Sequence, residues 1–237
     1  GLVCMSEMAD NIAVISDRVT VPLIVDADTG FGNALNVVRT ARVFSRAGAA
    51  AIQLEDQTLP KRCGHLGGKS LVSSQEMVGK IKAAKDALDE TVCVVIARTD
   101  ALAIEGTSAA LDRAETYLEA GADILFIEAP QNIETIQSIA RCFSGRVPLL
   151  INMIEGGKTP LLPLEELKQL GFNLVIYPGA FVRALSFMGT EFYKDLLTSG
   201  STVSWHKRML DLSGLNELLG TTHMLKMGEK YDESGKF

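Results

Sequence analysis

The sequence is poor in the residues that build compact metal fingers or disulfide frameworks. It has three histidines, and its cysteines, Cys4, Cys63, Cys93 and Cys142, are widely separated with no C-x-x-C spacing. A zinc finger needs clustered thiols and imidazoles, so that class is excluded. Unpaired thiols in a chain of 237 residues are expected to be reduced, which points to a cytoplasmic protein. No apolar run approaches the ~20 residues of a membrane helix, and no secretory leader is read at the N-terminus. The formal charge is −6 and no long Lys/Arg run is present, so neither nucleic acid nor membrane is an expected partner. The glycines of Asp28-Thr29-Gly30-Phe31-Gly32 do not form a dinucleotide fingerprint.

What the chain does hold is one phrase repeated. Short Val/Ile/Leu-rich runs occur at 22–28, 50–56, 93–100, 124–129, 148–153 and 173–178. Their continuous apolar character predicts parallel strands covered on both faces. Helical patterns fill the intervals at 34–47, 74–88, 108–120, 133–142 and 164–170. Gly48, Gly121 and Gly171 close three of them, supplying the left-handed residue that ends a helix. Alternation of this kind predicts an α/β fold.

Polar residues choose between architectures. Asp26, Asp28, Glu55, Asp56, Arg98, Asp100, Glu128, Asn152 and Tyr177 fall at or near the C-terminal ends of these runs. A barrel gathers such ends at one mouth, whereas a doubly wound sheet has a single switch point. The expectation is therefore a (β/α)8 TIM-type barrel within one domain, 1–237, with βα units over 1–179 and extra helices over 180–237. Six strands are visible where closure needs eight. The opening helical pattern at 5–17, with no methionine start, suggests that the first strands are missing from this sequence.

Asp26 and Asp28 are two apart in one run, which predicts that they point the same way. With Glu55 and Glu128 nearby at the mouth, their charges call for a cation, and a hard ion such as Mg²⁺ suits carboxylate ligands. The competing reading has these acids capping helices or pairing with Arg and Lys. After the second run comes Lys61-Arg62-Cys63-Gly64-His65-Leu66-Gly67-Gly68-Lys69. Glycines allow such a loop to close over a mouth, cations suit an anionic ligand, and positive neighbours favour thiol acid–base chemistry. Zinc ligation, an acylating thiol and a plain solvated loop are the weaker readings of the same segment.

The KRCGHLGGK run resembles the signature loop of the isocitrate lyase/phosphoenolpyruvate mutase superfamily. VDADTGFGN, IQLEDQ, ARTDA, FIEAP and NMIEGGKTPL follow that family's order, so the resemblance covers most of the chain. It implies a carbon–carbon lyase in which Asp26, Asp28 and Glu55 hold Mg²⁺, with Mn²⁺ as substitute. It implies that Cys63 exchanges a proton with the departing carbanion. Lys61, Gly64, His65, Arg98, Glu128 and Asn152 are implied to surround the substrate, with Lys61, His65 and Arg98 also serving catalysis. The short-chain branch cleaves 2-methylisocitrate, or 2,3-dimethylmalate and other 2-alkylmalates, to pyruvate and a second acid. Leu66, uncharged after the loop histidine, tilts the expectation toward a malate-type dicarboxylate, with Lys69 or Lys158 as the cation that could reverse the tilt. Oxaloacetate hydrolysis or decarboxylation on the same site is the alternative, and a silent organic-acid-binding barrel a second one.

Past Phe181 the pattern is helical over 180–198, 203–212 and 215–231, with Trp205 and a stripe of Met209, Met224 and Met227. Such stripes are usually core or subunit contact, and the resemblance implies a homotetramer. No chemistry is assigned to His206 or His223.

Overall fold

The computed structural model describes residues 1–232. Two compact units are present, Gly1–Ala180 and a second that starts at Phe181.

In the first unit a helix, α1 (Met5–Ser16), precedes six strands: β1 (Ile24–Asp26), β2 (Ala51–Glu55), β3 (Val94–Thr99), β4 (Ile124–Ile127), β5 (Leu149–Asn152) and β6 (Leu174–Ile176). The intervening helices are α2 (Ala34–Ala47), α3 (Ser74–Leu88), α4 (Thr107–Glu119), α5 (Ile133–Phe143) and α6 (Leu164–Leu170). All strands pair in parallel, and their order in the sheet is their order in the chain. A doubly wound sheet reverses direction at a switch point; this one does not. It is a curled part of the expected (β/α)8-type barrel, with β1 and β6 at its edges among the described residues.

Local chemistry explains the helix boundaries. Asn33 caps α2 by accepting from the amides of Leu35 and Asn36, and Gly48 ends it at φ 110°. Ser73 and Asn132 cap α3 and α5 in the same way. Each cap satisfies donors that the first helical turn leaves without partners.

Side chains alternate along each strand, and here they serve two layers. Outward residues such as Ile52, Leu54, Val95, Leu125 and Ile151 pack against Phe44, Met77, Ile81, Ile136 and Leu167 of the helices. Each such buried side chain contributes on the order of 1.5–3 kcal/mol. Inward residues Ala51, Ile96, Phe126 and Leu150 form a smaller apolar floor. Two residues further along, or four on β2, the inward positions turn polar: Glu55, Arg98, Glu128 and Asn152, all buried. That change from floor to rim places the site.

Three local expectations are corrected. The run at 22–28 is not all strand: β1 stops at Asp26, whose carboxylate accepts the Asp28 amide at 2.9 Å while Asp28 turns to φ 49°. The two acids therefore do not share a pleat. In the second unit α7 (Ala180–Ser199) is one helix, but 203–212 begins as a 3₁₀ helix, Val203–Arg208. The pattern over 215–231 is two helices, α8 (Leu212–Leu218) and α9 (Thr221–Tyr231), because Gly220 adopts φ 68° between them. Trp205 is buried within this unit, edge-on to Phe192 and donating its indole N–H to Asp195 at 3.0 Å.

Candidate active site

The polar rim follows from register. Glu55 and Arg98 are paired positions on β2 and β3, so their inward side chains meet: Arg98 Nε lies 3.5 Å from Glu55 Oε2. Arg98 also rests over the Phe126 ring, at 5.2 Å. Its Nη1 lies 3.8 Å from Glu128 Oε2, and its Nε and Nη2 donate to Asp100 at 2.9 and 3.2 Å. Burial opposes the guanidinium charge, but Glu128, Asp100 and Glu55 outweigh it and hold Arg98 firmly protonated. Asn152 donates to both Glu128 oxygens at 3.4 and 3.5 Å.

The three acids assigned to a metal meet around one cation. Lys61 Nζ lies 2.5 Å from Asp28, 3.5 Å from Asp26 and 3.8 Å from Glu55. Burial works against this ammonium, yet Asp26, Glu55 and Asp28 together hold its pKa above the usual lysine range. The lysine-pairing reading and the metal reading thus fall on the same residues. Among the described residues, no three His, Cys, Asp or Glu side chains converge closely enough to chelate an ion as they stand. The donor set still suits a hard cation. Glu55 is fully buried, and neither of its oxygens accepts a hydrogen bond. Burial pushes its carboxyl up to about 8, against the pull of Arg98 and Lys61. A buried carboxylate without donors is a ligand in need of a partner.

The loop lies over this rim and is fastened. At its neck Gln57 bridges to Leu71, and the Gln57 amide both donates to the Arg62 carbonyl and accepts from the Arg62 amide, each at 2.9 Å. At its crest His65 Nδ1 accepts the Lys158 amide at 3.0 Å, and its Nε2 lies 2.9 Å from Glu128 Oε1. Gly64 is required there: a Cβ would come within 2.4 Å of Glu128 Cγ and 2.6 Å of Arg98 Nη2. Cys63 stands apart from the acids. Its side chain is exposed, and among the described residues no hydrogen bond engages its thiol.

Asp28, Glu55, Lys61, Gly64, His65, Arg98, Glu128 and Asn152 are thus brought together with Asp26, while Cys63 marks the solvent side of the crest. Two residues without an assigned role belong to the same network. Asp100 is two residues beyond Arg98, and that i, i+2 spacing was the available signal. Lys69, considered above as a free cation, is buried and committed to Asp100 at 2.9 Å. Asp56, despite its place at a strand end, faces outward and is saturated by Thr99, Tyr117 and the Asp100 amide.

A family model described as phosphoenolpyruvate phosphomutase matches residues 1–197. The 2,3-dimethylmalate lyase of Eubacterium barkeri is 43% identical over 231 residues, covering 98% of this chain and 79% of that protein. The 2-methylisocitrate lyase of Aeropyrum pernix is 43% identical over 220 residues, 93% of this chain and 70% of that one. Among solved structures, a crystal structure of 2,3-dimethylmalate lyase, a PEP mutase/isocitrate lyase superfamily member, matches with a TM-score of 0.91 at 33% identity, over 99% of this chain and 78% of that one. Oxaloacetate acetylhydrolase in complex with 3,3-difluorooxalacetate matches with a TM-score of 0.90 at 32% identity, over 97% and 77%.

Proposed function

The chain belongs to the PEP mutase/isocitrate lyase superfamily and is a carbon–carbon lyase, and from that premise we propose that it cleaves a small 2-hydroxy di- or tricarboxylate to pyruvate and a second carboxylic acid. The candidate substrates are 2,3-dimethylmalate, another 2-alkylmalate, and 2-methylisocitrate. One observation carries the reading: the buried, donor-less Glu55 stands beside Asp26, Asp28 and Arg98 under a loop that brings His65 to Glu128.

Asp26, Asp28 and Glu55 would hold Mg²⁺, or Mn²⁺ in its place, directly or through water. When bound, the ion supplies Lewis acidity that lowers the cost of negative charge on the substrate's 2-oxygen. Arg98, fixed by its acidic neighbours, presents Nη atoms to a substrate carboxylate. Asn152 and Glu128 orient the reacting carbons and restrict them to one placement. A basic side chain at the rim takes the 2-hydroxyl proton as the C2–C3 bond breaks, which releases pyruvate and leaves an enolate on the other fragment. The Cys63 thiol gives that carbon its proton once the crest turns it inward from the solvent-facing position it holds here, and the closed crest limits access of water.

Leu66 continues to favour a dicarboxylate, and the commitment of Lys69 to Asp100 adds to that preference. Lys158, whose side chain is exposed, is then the remaining candidate for a third carboxylate. Oxaloacetate is the second reading, favoured by the likeness to oxaloacetate acetylhydrolase. A homotetramer in the cytoplasm is proposed as the working form. Exposed Phe181, Phe187 and Leu197 on α7 support the assembly, and a monomeric mass by light scattering would contradict it.

The test supplies Mg²⁺ and each hydroxy acid, and couples pyruvate release to lactate dehydrogenase, with oxalate and acetate assayed from oxaloacetate. Pyruvate that disappears with EDTA and falls at least about 100-fold in Cys63→Ser is the expected result. Folded protein that turns over none of these acids would defeat the reading and leave a silent organic-acid binder.

A further inference from the structure

Lys69 ends the loop that carries Cys63 and His65, and its side chain is 2% exposed, in a salt bridge with Asp100, which is 0% exposed. The ammonium makes two contacts. It donates to Asp100 Oδ1 at 2.9 Å, and it reaches back across the loop to donate to the Gly64 carbonyl. Asp100 in turn grips Arg98 through both carboxylate oxygens. Burial opposes the Asp100 charge, but Arg98 and Lys69 outweigh it and hold the group ionised. A continuous strut therefore runs from the crest, through Lys69 and Asp100, to the arginine at the centre of the rim.

Neither end of this strut has slack. Gly64 already lies so close to Arg98 and Glu128 that no Cβ fits. Beyond Gly64, His65 is held between Glu128 and the Lys158 amide. Buried ion pairs add little net stability, because desolvation offsets their attraction, but they demand one geometry. That geometry is what the site has to gain.

We propose that Lys69 is a positioning residue, which fixes the height and register of the Cys63–Gly64–His65 crest relative to Arg98 through Asp100. It does not touch substrate. The kinetic side of this proposal rests on the lyase reading above; the structural side does not.

The experiment compares wild type with Lys69→Met by hydrogen–deuterium exchange and by steady-state kinetics. Exchange should quicken about 10-fold or more in the peptides covering 61–69 and 154–159 together, since the Lys158 amide is protected by His65, while the strands keep their protection. Turnover should fall about 10- to 100-fold with KM within about threefold, the pattern of a misplaced group rather than a lost contact. A second variant, Lys69→Met/Asp100→Asn, also removes the carboxylate charge that Lys69 balances. It should show the same quickened exchange. Exchange unchanged in Lys69→Met, or protection restored in the double variant, would overturn the strut. A raised KM with turnover preserved would make Lys69 a substrate ligand and overturn it too. If wild type turns over no hydroxy acid, the lyase reading has failed, and the exchange result alone decides the strut.

Discussion

Glu55 and Asp56 are adjacent acids at the end of one strand, both buried, and they lead opposite lives. Asp56 points outward toward α4 and accepts from Thr99 at 2.7 Å, Tyr117 at 2.8 Å and the Asp100 amide at 3.0 Å, with Arg113 at 3.4 Å. Glu55 points into the rim, within ion-pair range of Arg98 and Lys61, and accepts no hydrogen bond. Burial raises both carboxyl pKa values; hydrogen-bond donors oppose it at Asp56, whereas at Glu55 the opposition comes from the charges of Arg98 and Lys61 alone. The lesson is that a saturated buried acid holds a fold together, whereas a buried acid left without donors is available for chemistry.

The contrast can be broken most directly at Glu55. Glu55→Gln should lower turnover by about 10³-fold, since the site loses a proposed ligand of the Lewis acid. Its stability to urea should stay within about 1 kcal/mol of wild type, because an amide matches the shape of a carboxyl whose oxygens accept no hydrogen bond. Destabilisation matching that of Asp56→Ala would end the distinction. Asp56→Ala carries the next largest effect: a loss of about 3–5 kcal/mol in urea unfolding, from the stranded Tyr117, Thr99 and Arg113. The protein that remains folded at low temperature should keep its KM.

The smallest effect concerns a third acid, Cys93, buried in the outer layer, whose thiol is pushed up to about 11, chiefly by burial and then by Asp123. A raised pKa means that the unfolded chain releases its proton first. The contribution to stability is therefore complete below pH 9 and declines as the pH climbs through about 11. Relative to Cys93→Ala, wild type should lose about 1–2 kcal/mol across that interval, allowing for solvent screening. Parallel stability–pH curves for the two proteins would remove Cys93 from the comparison.

The strands, the glycine helix ends and the polar strand tips were legible because each rests on local periodicity or on a single backbone requirement. Gly48 and Gly171 mark helix ends by sequence position and do so in space, at φ 110° and 99°. What escaped was whatever depends on distant partners. Nothing near Lys61 announces that Asp26, Asp28 and Glu55 will surround it, and nothing near Lys69 announces that Asp100 will bury it. The loop's conformation is decided by residues 30 or more positions away, such as Asp100 and Lys158. The sequence could place Cys63 in the loop but not say that its thiol would face solvent. Over 215–231 the apolar spacing ran on unbroken through Gly220, which ended a helix there as it does elsewhere.

The strand order has a consequence for how the first unit is made. Among the described residues, each strand pairs with its neighbours in chain order and with no other strand. Each ladder can therefore form as soon as its second strand has left the ribosome, whereas the loop over the rim waits for Asp100 and Lys158. Arg98, on β3, meets Glu55 as soon as β2 and β3 pair, and is joined by Glu128 just beyond β4 and then by Asn152 at the end of β5, so the polar rim is assembled in the order in which it is translated.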